Sequence, residues 1–410
     1  MKALVFERNL PRFAASRVAS MFGSGRGAKV GPLQLLDQEA PALPGDDWHY
    51  LRPLLSGICG SDLATLDGRS SRYFEDIVSF PFVPGHEVVG VLDHGGIDHD
   101  GNELSVGTRA VIEPVLGCAT RHIQPACPQC SKGHTGLCSN VAFGDLEPGL
   151  QTGFCTDTGG GWSTAELAAH SSQLHAVPES FSDEDAVMVE PTACAVHAVL
   201  SAGIQAGDVV AVIGAGTLGL ATTAALNQVV RPTSPLTVLV GAKHGHQRGM
   251  ADRLGADSVV APDQLARAVR MKAGSLVLAG RLTSGADVVF DCVGSSQSLT
   301  QALAMVRPRG RVVLVGMPGR VEVDLAPLWH RELSLVGAYA YGEEDPEVGD
   351  RARTFTLAFD VVAQAQLGSL VSAAYPLERY EEAIAHAGSA GRRGAVKVVF
   401  DLRNRKGITR

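Results

Sequence analysis

From about Asp183 onward the apolar positions fall into alternating blocks of two kinds. Ala186 to Ala202 repeats at helical spacing, and the β-branched run Val209-Val210-Ala211-Val212-Ile213 follows it. Leu236-Thr237-Val238-Leu239-Val240 precedes a helical stretch from Gln247 to Leu254. Asp287-Val288-Val289-Phe290 precedes another from Ser298 to Val306, and Arg311-Val312-Val313-Leu314-Val315 closes the series. Near-continuous apolar strands alternating with helices predict an α/β fold with a parallel, doubly wound sheet. The first third has a different texture. Glycine and proline punctuate short runs such as Glu87-Val88-Val89-Gly90-Val91-Leu92, which predicts a small β-rich domain. The last apolar run, Ala395 to Phe400, reads as a strand returning to that domain. The expected organisation is a β-rich domain over 1–182, an α/β domain over 183–340, and a returning segment over 341–410.

Composition narrows the function classes. A chain of 410 residues is too long for one small core, and 45% apolar with 19% charged positions describes an ordinary globular protein. The net charge of -8, with no basic stretch interleaved with aromatics, argues against a nucleic-acid partner. The basic tail Arg403-Asn404-Arg405-Lys406 reads as a solvated end. No segment is apolar for long enough to span a bilayer, so no membrane partner is expected. Met1 to Phe6 runs straight into Glu7 and Arg8 without the apolar stretch of a signal peptide, and a cytoplasmic location is expected. In that setting eight cysteines point to metal or thiol chemistry rather than a disulfide framework.

Two constellations carry metal chemistry. Cys59-Gly60-Ser61-Asp62 and Gly85-His86-Glu87 bring a thiolate, an imidazole and a carboxylate, a donor mixture that suits Zn²⁺ and leaves one position open. Glu87 either ligates the metal or adjusts it from behind a ligand. Glu190, before Pro191, is costly to bury unpaired beside Ala186 to Val189. It caps its helix, ligates the metal, or holds a water there. The second constellation is Cys127-x2-Cys130-x7-Cys138 with Cys118 upstream, which can wrap a closed tetrahedral zinc. Four cysteine ligands are expected there. Replacement of Cys118 by His122 or His134, or a lobe without metal, are the alternatives. Cys155, Cys194 and Cys292 read as buried thiols.

A nucleotide signature follows. Gly214-Ala215-Gly216-Thr217-Leu218-Gly219 sits after a strand and before a helical stretch. Gly214 makes the turn, Gly216 admits a pyrophosphate to the helix start at Thr217 and Leu218, and Gly219 lets helix and strand close up. The next strand ends Val240-Gly241-Ala242-Lys243-His244 with no acid to hold a ribose 2′-hydroxyl. Gly241 and Ala242 leave room for a 2′-phosphate and Lys243 supplies charge, so NADP is expected ahead of NAD. Arg248 is a second cation or a surface residue. Cys292-Val293-Gly294 and Val315-Gly316-Met317 end later strands, where such a sheet presents its ligand crevice.

In this order the motifs Gly57-Ile58-Cys59-Gly60-Ser61-Asp62, Pro84-Gly85-His86-Glu87, Glu190-Pro191 and the glycine loop resemble the zinc-dependent medium-chain alcohol dehydrogenases. The likeness is to their polyol and threonine dehydrogenase-like branch, and it covers the chain from about Leu51 onward. The resemblance implies a GroES-like catalytic domain, a Rossmann domain, and catalytic zinc on Cys59 and His86 with Glu87 a ligand or close neighbour. It implies that Ser61 relays the substrate's hydroxyl proton and that Asp62 orients Cys59. It further implies a homodimer or homotetramer oxidising a secondary alcohol or polyol to an aldehyde or ketone with NADP. An NADPH-dependent carbonyl reductase and a non-catalytic nucleotide-binding protein are the alternatives. The chain departs from the family pattern at Leu63-Ala64-Thr65, where many members carry a relay histidine. Further departures are the gap at Thr120 to Pro125 in the cysteine lobe, the region Phe13 to Gln38, and the triple-glycine segment Cys155 to Trp162. Trp48, Tyr73, Trp162 and Trp329 are candidates to line a pocket, or core residues.

Overall fold

The computed structural model describes residues 1–278, 281–345 and 351–403, so the basic tail past Arg403 lies outside the described residues. The chain forms two compact units. The first comprises Met1–Glu190, Tyr341–Glu343 and Gly368–Arg410, the second Pro191–Ala340 and Glu344–Leu367.

The first unit is built on a sheet with strands in the order Val371–Tyr375, Lys397–Asp401, Trp48–Gly57, Val88–Val91, Arg109–Ile112 and Leu174–Ala176. Leu167–His170 also pairs with Trp48–Gly57. All four residues of Val88–Val91 are buried, which is why this strand lacks a polar face. Leu51, Val88, Leu92, Ile112, Leu167 and Leu174 form one core of this unit. The returning strand pairs antiparallel with Trp48–Gly57, setting Val399 opposite Gly57 and Phe400 opposite Ser56. At the N-terminus, Lys2–Phe6 pairs with Leu33–Asp37, and the helix Leu10–Ser20 lies between them in sequence.

The second unit holds a six-stranded sheet in the order Ser258–Val260, Thr237–Gly241, Val209–Ile213, Ala286–Asp291, Val306–Leu314 and Ser334–Gly337. Every pairing is parallel. Sequence order reverses between Val209–Ile213 and Ala286–Asp291, the switch point at which doubly wound sheets open a ligand crevice. Ala211, Leu239, Val289, Leu299, Leu303 and Val312 pack in this unit's own core.

The division differs from the expected boundaries at two places. Residues 344–367 belong to the second unit instead of returning with the rest of 341–410. The cause is the helix Thr354–Ala365, which buries Phe355, Ala358, Val361 and Val362 and packs on Thr217–Ala225 and the turn after it. An apolar helix face takes the cover it finds, whatever the chain does next. Residues 183–190, in turn, group with the first unit, so the boundary falls inside the helix Val189–Ser201. Among the described residues no helix is long and apolar enough to cross a membrane.

Candidate metal centres and nucleotide crevice

The strand Trp48–Gly57 runs out into Ile58 and Cys59, and Cys59 opens the helix Gly60–Leu66. Its N–H donates to Asp62 Oδ2 at 2.9 Å, fixing the start of that helix. The second loop turns at Gly85, with φ of 100°. A Cβ there would stand 2.4 Å from Trp162 Cδ1, so the indole takes the space a side chain would need. Trp162 Nε1 donates to Gly57 O at 3.1 Å, so one indole braces both loops.

Their side chains converge. Cys59 Sγ, a His86 ring nitrogen and a Glu87 carboxylate oxygen all lie within 4.8 Å of one another. His86 and Glu87 are buried. His86 Nδ1 faces Asp62 Oδ1 at 3.6 Å, beyond hydrogen-bond length, and neither buried atom has a hydrogen bond. That leaves Nε2 for a metal, with a carboxylate behind the imidazole, the usual support of a metal-binding histidine. Burial opposes charge on this ring, but Asp62, Cys59 and Glu190 outweigh it and hold His86 above its ordinary value. Burial pushes Asp62 up to about 6 and Glu190 up to about 7. A divalent cation among such groups replaces the protons that the metal-free cluster retains, and the donor set fits zinc.

Glu190 is not part of the compact set. Its Oε1 accepts from Tyr341 Oη at 2.9 Å, while His86 is close enough to hold its carboxyl down against burial. Ser61 is half-buried at the second residue of its helix, two positions from Cys59. Two residues escaped the sequence reading. Tyr341 is one. The other is Lys397, 2% exposed on the returning strand, whose Nζ pairs with Glu87 Oε2. The signal for it was a single lysine inside the apolar run Ala395 to Phe400.

In the cysteine lobe the Sγ atoms of Cys118, Cys127, Cys130 and Cys138 lie within 4.8 Å of one another. Backbone N–H groups are turned on the sulfurs, from Cys127 to Cys118 Sγ and from Asn140 to Cys138 Sγ, each at 3.3 Å. The Asn140 amide adds a third at 3.3 Å to Cys118 Sγ. A hydrogen bond from the Cys130 thiol draws Cys138 down to about 5. Four sulfurs gathered under N–H donors suit a closed thiolate zinc site. Neither His122 nor His134 belongs to the set. In the longer gap Thr120 and Arg121 are buried while His122 is exposed, and His122 bonds through Nδ1 to Asp145 Oδ2 at 2.8 Å and through Nε2 to Asp47 Oδ1 at 2.9 Å.

In the second unit the glycine loop has the shape its spacing implies. Gly214 has φ of 93°, and a Cβ on Gly219 would come 1.9 Å from Gly214 O. Gly216 caps the helix Thr217–Ala225 with open space at its Cβ position, and Thr217 and Leu218 form the first turn. A Cβ on Gly214 would meet Val293, and one on Gly316 would meet Val293 and Cys292, so the loops after Ile213, Asp291 and Leu314 converge at the switch point. Val315 is buried there, and burial raises the half-buried Cys292 thiol to about 12. Gly241 and Ala242 are buried, Lys243 is exposed, and Arg248 Nη1 folds back to Ala242 O at 3.3 Å.

The four aromatics share no pocket wall. Trp48 and Trp162 are buried in core clusters of the first unit, whereas Tyr73 and Trp329 are exposed.

Residues 45–179 match the family model for the alcohol dehydrogenase GroES-like domain, and residues 235–354 that for zinc-binding dehydrogenases. The chain is 30% identical over 364 residues to a sorbitol dehydrogenase of Arabidopsis thaliana, covering 88% of this chain and 90% of the relative. It is 28% identical to an L-idonate 5-dehydrogenase of Vitis vinifera, covering 84% and 86%. A Sinorhizobium meliloti protein solved bound to NADP shares the fold, with a TM-score of 0.66, 24% identity, and coverage of 90% and 95%. On both domain matches and the near full-length likeness, the chain belongs to the zinc-dependent medium-chain alcohol dehydrogenase family, in its polyol dehydrogenase branch.

Proposed function

We propose that the protein oxidises a secondary alcohol, with polyols first among the candidates, to the corresponding carbonyl compound and uses NADP(H). The observation that carries this is the convergence of half-buried Cys59 with buried His86 and Glu87, with Asp62 behind the imidazole. Zinc held there would supply Lewis acidity toward a hydroxyl oxygen, and a bound nicotinamide would supply the hydride acceptor. The chain's own groups do the remainder. Cys59 and His86 hold the metal, Asp62 fixes the imidazole tautomer, and Glu87, paired with Lys397, ligates or stands directly behind the ligands. Ser61 Oγ receives the substrate's hydroxyl proton. Leu63-Ala64-Thr65 follow where many family members carry a relay histidine, so the proton leaves through water, the cofactor ribose or another side chain.

Sorbitol and L-idonate, named for the two relatives, are polyhydroxy compounds and direct the substrate class. For the cofactor, the strand Thr237–Gly241 is followed by no acid, and two cations, Lys243 and Arg248, stand at its end. The family resemblance supports a homodimer or homotetramer, which light scattering on the purified protein checks.

The test is absorbance at the reduced-nicotinamide band over an alcohol and polyol panel, with NADP⁺ and NAD⁺ in parallel. Turnover with NADP⁺ on a polyol is expected. Turnover only with NAD⁺ overturns the cofactor assignment, and turnover confined to carbonyl compounds with NADPH assigns the reductive direction.

A further inference from the structure

The helix Leu10–Ser20 stands largely inside the N-terminal stretch that departs from the family pattern, and its two sides are inverted for a water-facing helix. The side against the protein is partly polar. Ser16 is fully buried, and its Oγ donates to Leu66 O. Phe13 lies against Gly68, where an added Cβ would come 3.2 Å from the ring. The outward side is apolar. Leu10, Ala14, Val18 and Met21 fall in one row at helical spacing, with Pro11 and Phe22 in the row beside it. The helical path reaches Phe22, whose N–H donates to Ala19 O at 3.1 Å. Leu10 is 74% exposed, Val18 59%, Met21 81% and Phe22 73%, so nothing in the described chain covers this face.

Charge frames the face. Between Glu7 and Asp37 the chain carries Arg8, Arg12, Arg17, Arg26 and Lys29 and no acid, within a protein of net charge -8. All five cations are exposed, and among the described residues none of them forms an ion pair. On the helix, Arg17 borders the apolar rows on one side and Arg12 on the other. An exposed apolar face with cations along both edges is the pattern of a helix that lies in the plane of an anionic interface. A second copy of the helix is a poor cover, because a self-complementary pairing sets arginines against arginines with no acid in the segment between them. A bilayer surface requires no matching shape. Its acyl region accepts the apolar rows, and anionic headgroups meet the arginines at the edges.

We propose that the helix Leu10–Ser20, with Met21 and Phe22, is a docking face for the surface of an anionic lipid bilayer. That no described helix is long and apolar enough to cross a membrane is compatible with this, since a docking helix lies along the surface. Ser16 and Phe13 hold the helix in place before it binds, so little ordering is left to be done on docking. A single helix of this length gives reversible attachment, strengthened by an attraction that salt weakens.

The experiment is sedimentation of the full-length protein with vesicles, of phosphatidylcholine alone or with about 30% phosphatidylserine, at about 0.1 M and about 0.5 M salt. Binding to the anionic vesicles, weakened by salt and missing from the neutral ones, is expected. Arg12→Gln combined with Arg17→Gln is expected to weaken it about 25-fold, about fivefold for each arginine. Val18→Ser combined with Phe22→Ser is expected to weaken it about tenfold or more. All four positions are exposed, and an unchanged melting curve shows that each variant is folded. Wild type that stays in solution beside anionic vesicles overturns the proposal whatever the variants do. Equal binding to neutral vesicles overturns it as well, and binding left unweakened by either pair of substitutions places the contact elsewhere. Dimerisation that is lost in Val18→Ser with Phe22→Ser, without vesicle binding by wild type, assigns the face to a second copy instead.

Discussion

At the scale of the residue, the chemistry of the first donor set depends on one buried pair. Lys397 is the cation nearest Glu87, and both side chains are withdrawn from water. Removing one partner of such a pair leaves the other charged in a medium that solvates it poorly. Lys397→Met is therefore expected to lower stability by about 3–5 kcal/mol in urea unfolding of the zinc-loaded protein. The double variant Lys397→Met with Glu87→Gln is expected to recover much of that loss, because neither neutral group strands a charge. A single variant as stable as wild type refutes the pairing. The pair also marks a limit of the sequence. The gathering of Cys59 with His86 and of the four lobe cysteines was legible because such donors stand in spaced clusters, and a spacing is a local property. Lys397 meets Glu87 only because a late strand lies antiparallel on Trp48–Gly57. No local pattern encodes that meeting, and the one trace of it was a charge where the strand should be apolar.

At the scale of the element, the departures from the family pattern become packing devices. Gly160 lies where a Cβ would stand 2.0 Å from Val83 O, and at Gly161 it would stand 2.4 Å from Ser56 Oγ. The triple glycine lets one loop lie flat on the segment that leads to His86. Gly160→Ala is expected to cost about 1–3 kcal/mol by overpacking, and to loosen zinc at Cys59 and His86 while lobe zinc is retained. Metal analysis of the variant checks this, and loss from the lobe instead contradicts the placement. The lobe's outer anchor is an acid–base device. Hydrogen bonds to Asp145 and Asp47 raise the affinity of His122 for its second proton. A raised folded value means stability fully present below the ordinary histidine range and lost as pH climbs through the folded value. Burial pulls His170, which also contacts Asp47, the opposite way, but that residue is common to wild type and variant. The melting-temperature difference between wild type and His122→Asn is thus expected to be largest near about pH 6 and to shrink toward about pH 9. A difference that grows with pH means the ring is held neutral.

At the scale of the molecule, each unit has its own sheet and its own buried core, and the two donor sets lie wholly in the first. Four of the second unit's six strands were legible, Val209–Ile213 to the residue, because strands buried on both faces read as unbroken apolar runs, whereas Ser258–Val260 and Ser334–Gly337, half-buried or exposed, were not read. The helix Thr354–Ala365 was placed with the wrong unit because periodicity shows that an apolar face exists, not which sheet covers it. From this separation a functional one follows. The loops after Ile213, Asp291 and Leu314 belong to the second unit, and the Cys59–His86–Glu87 set to the first. Cys59→Ala is therefore expected to abolish turnover while NADPH fluorescence titration gives an affinity within about threefold of wild type, a free-energy change under about 1 kcal/mol. Loss of both properties together means that the metal set organises the crevice as well as the chemistry. Undiminished turnover removes Cys59 from the mechanism, and with it the assignment of the Cys59–His86–Glu87 set as the catalytic metal centre.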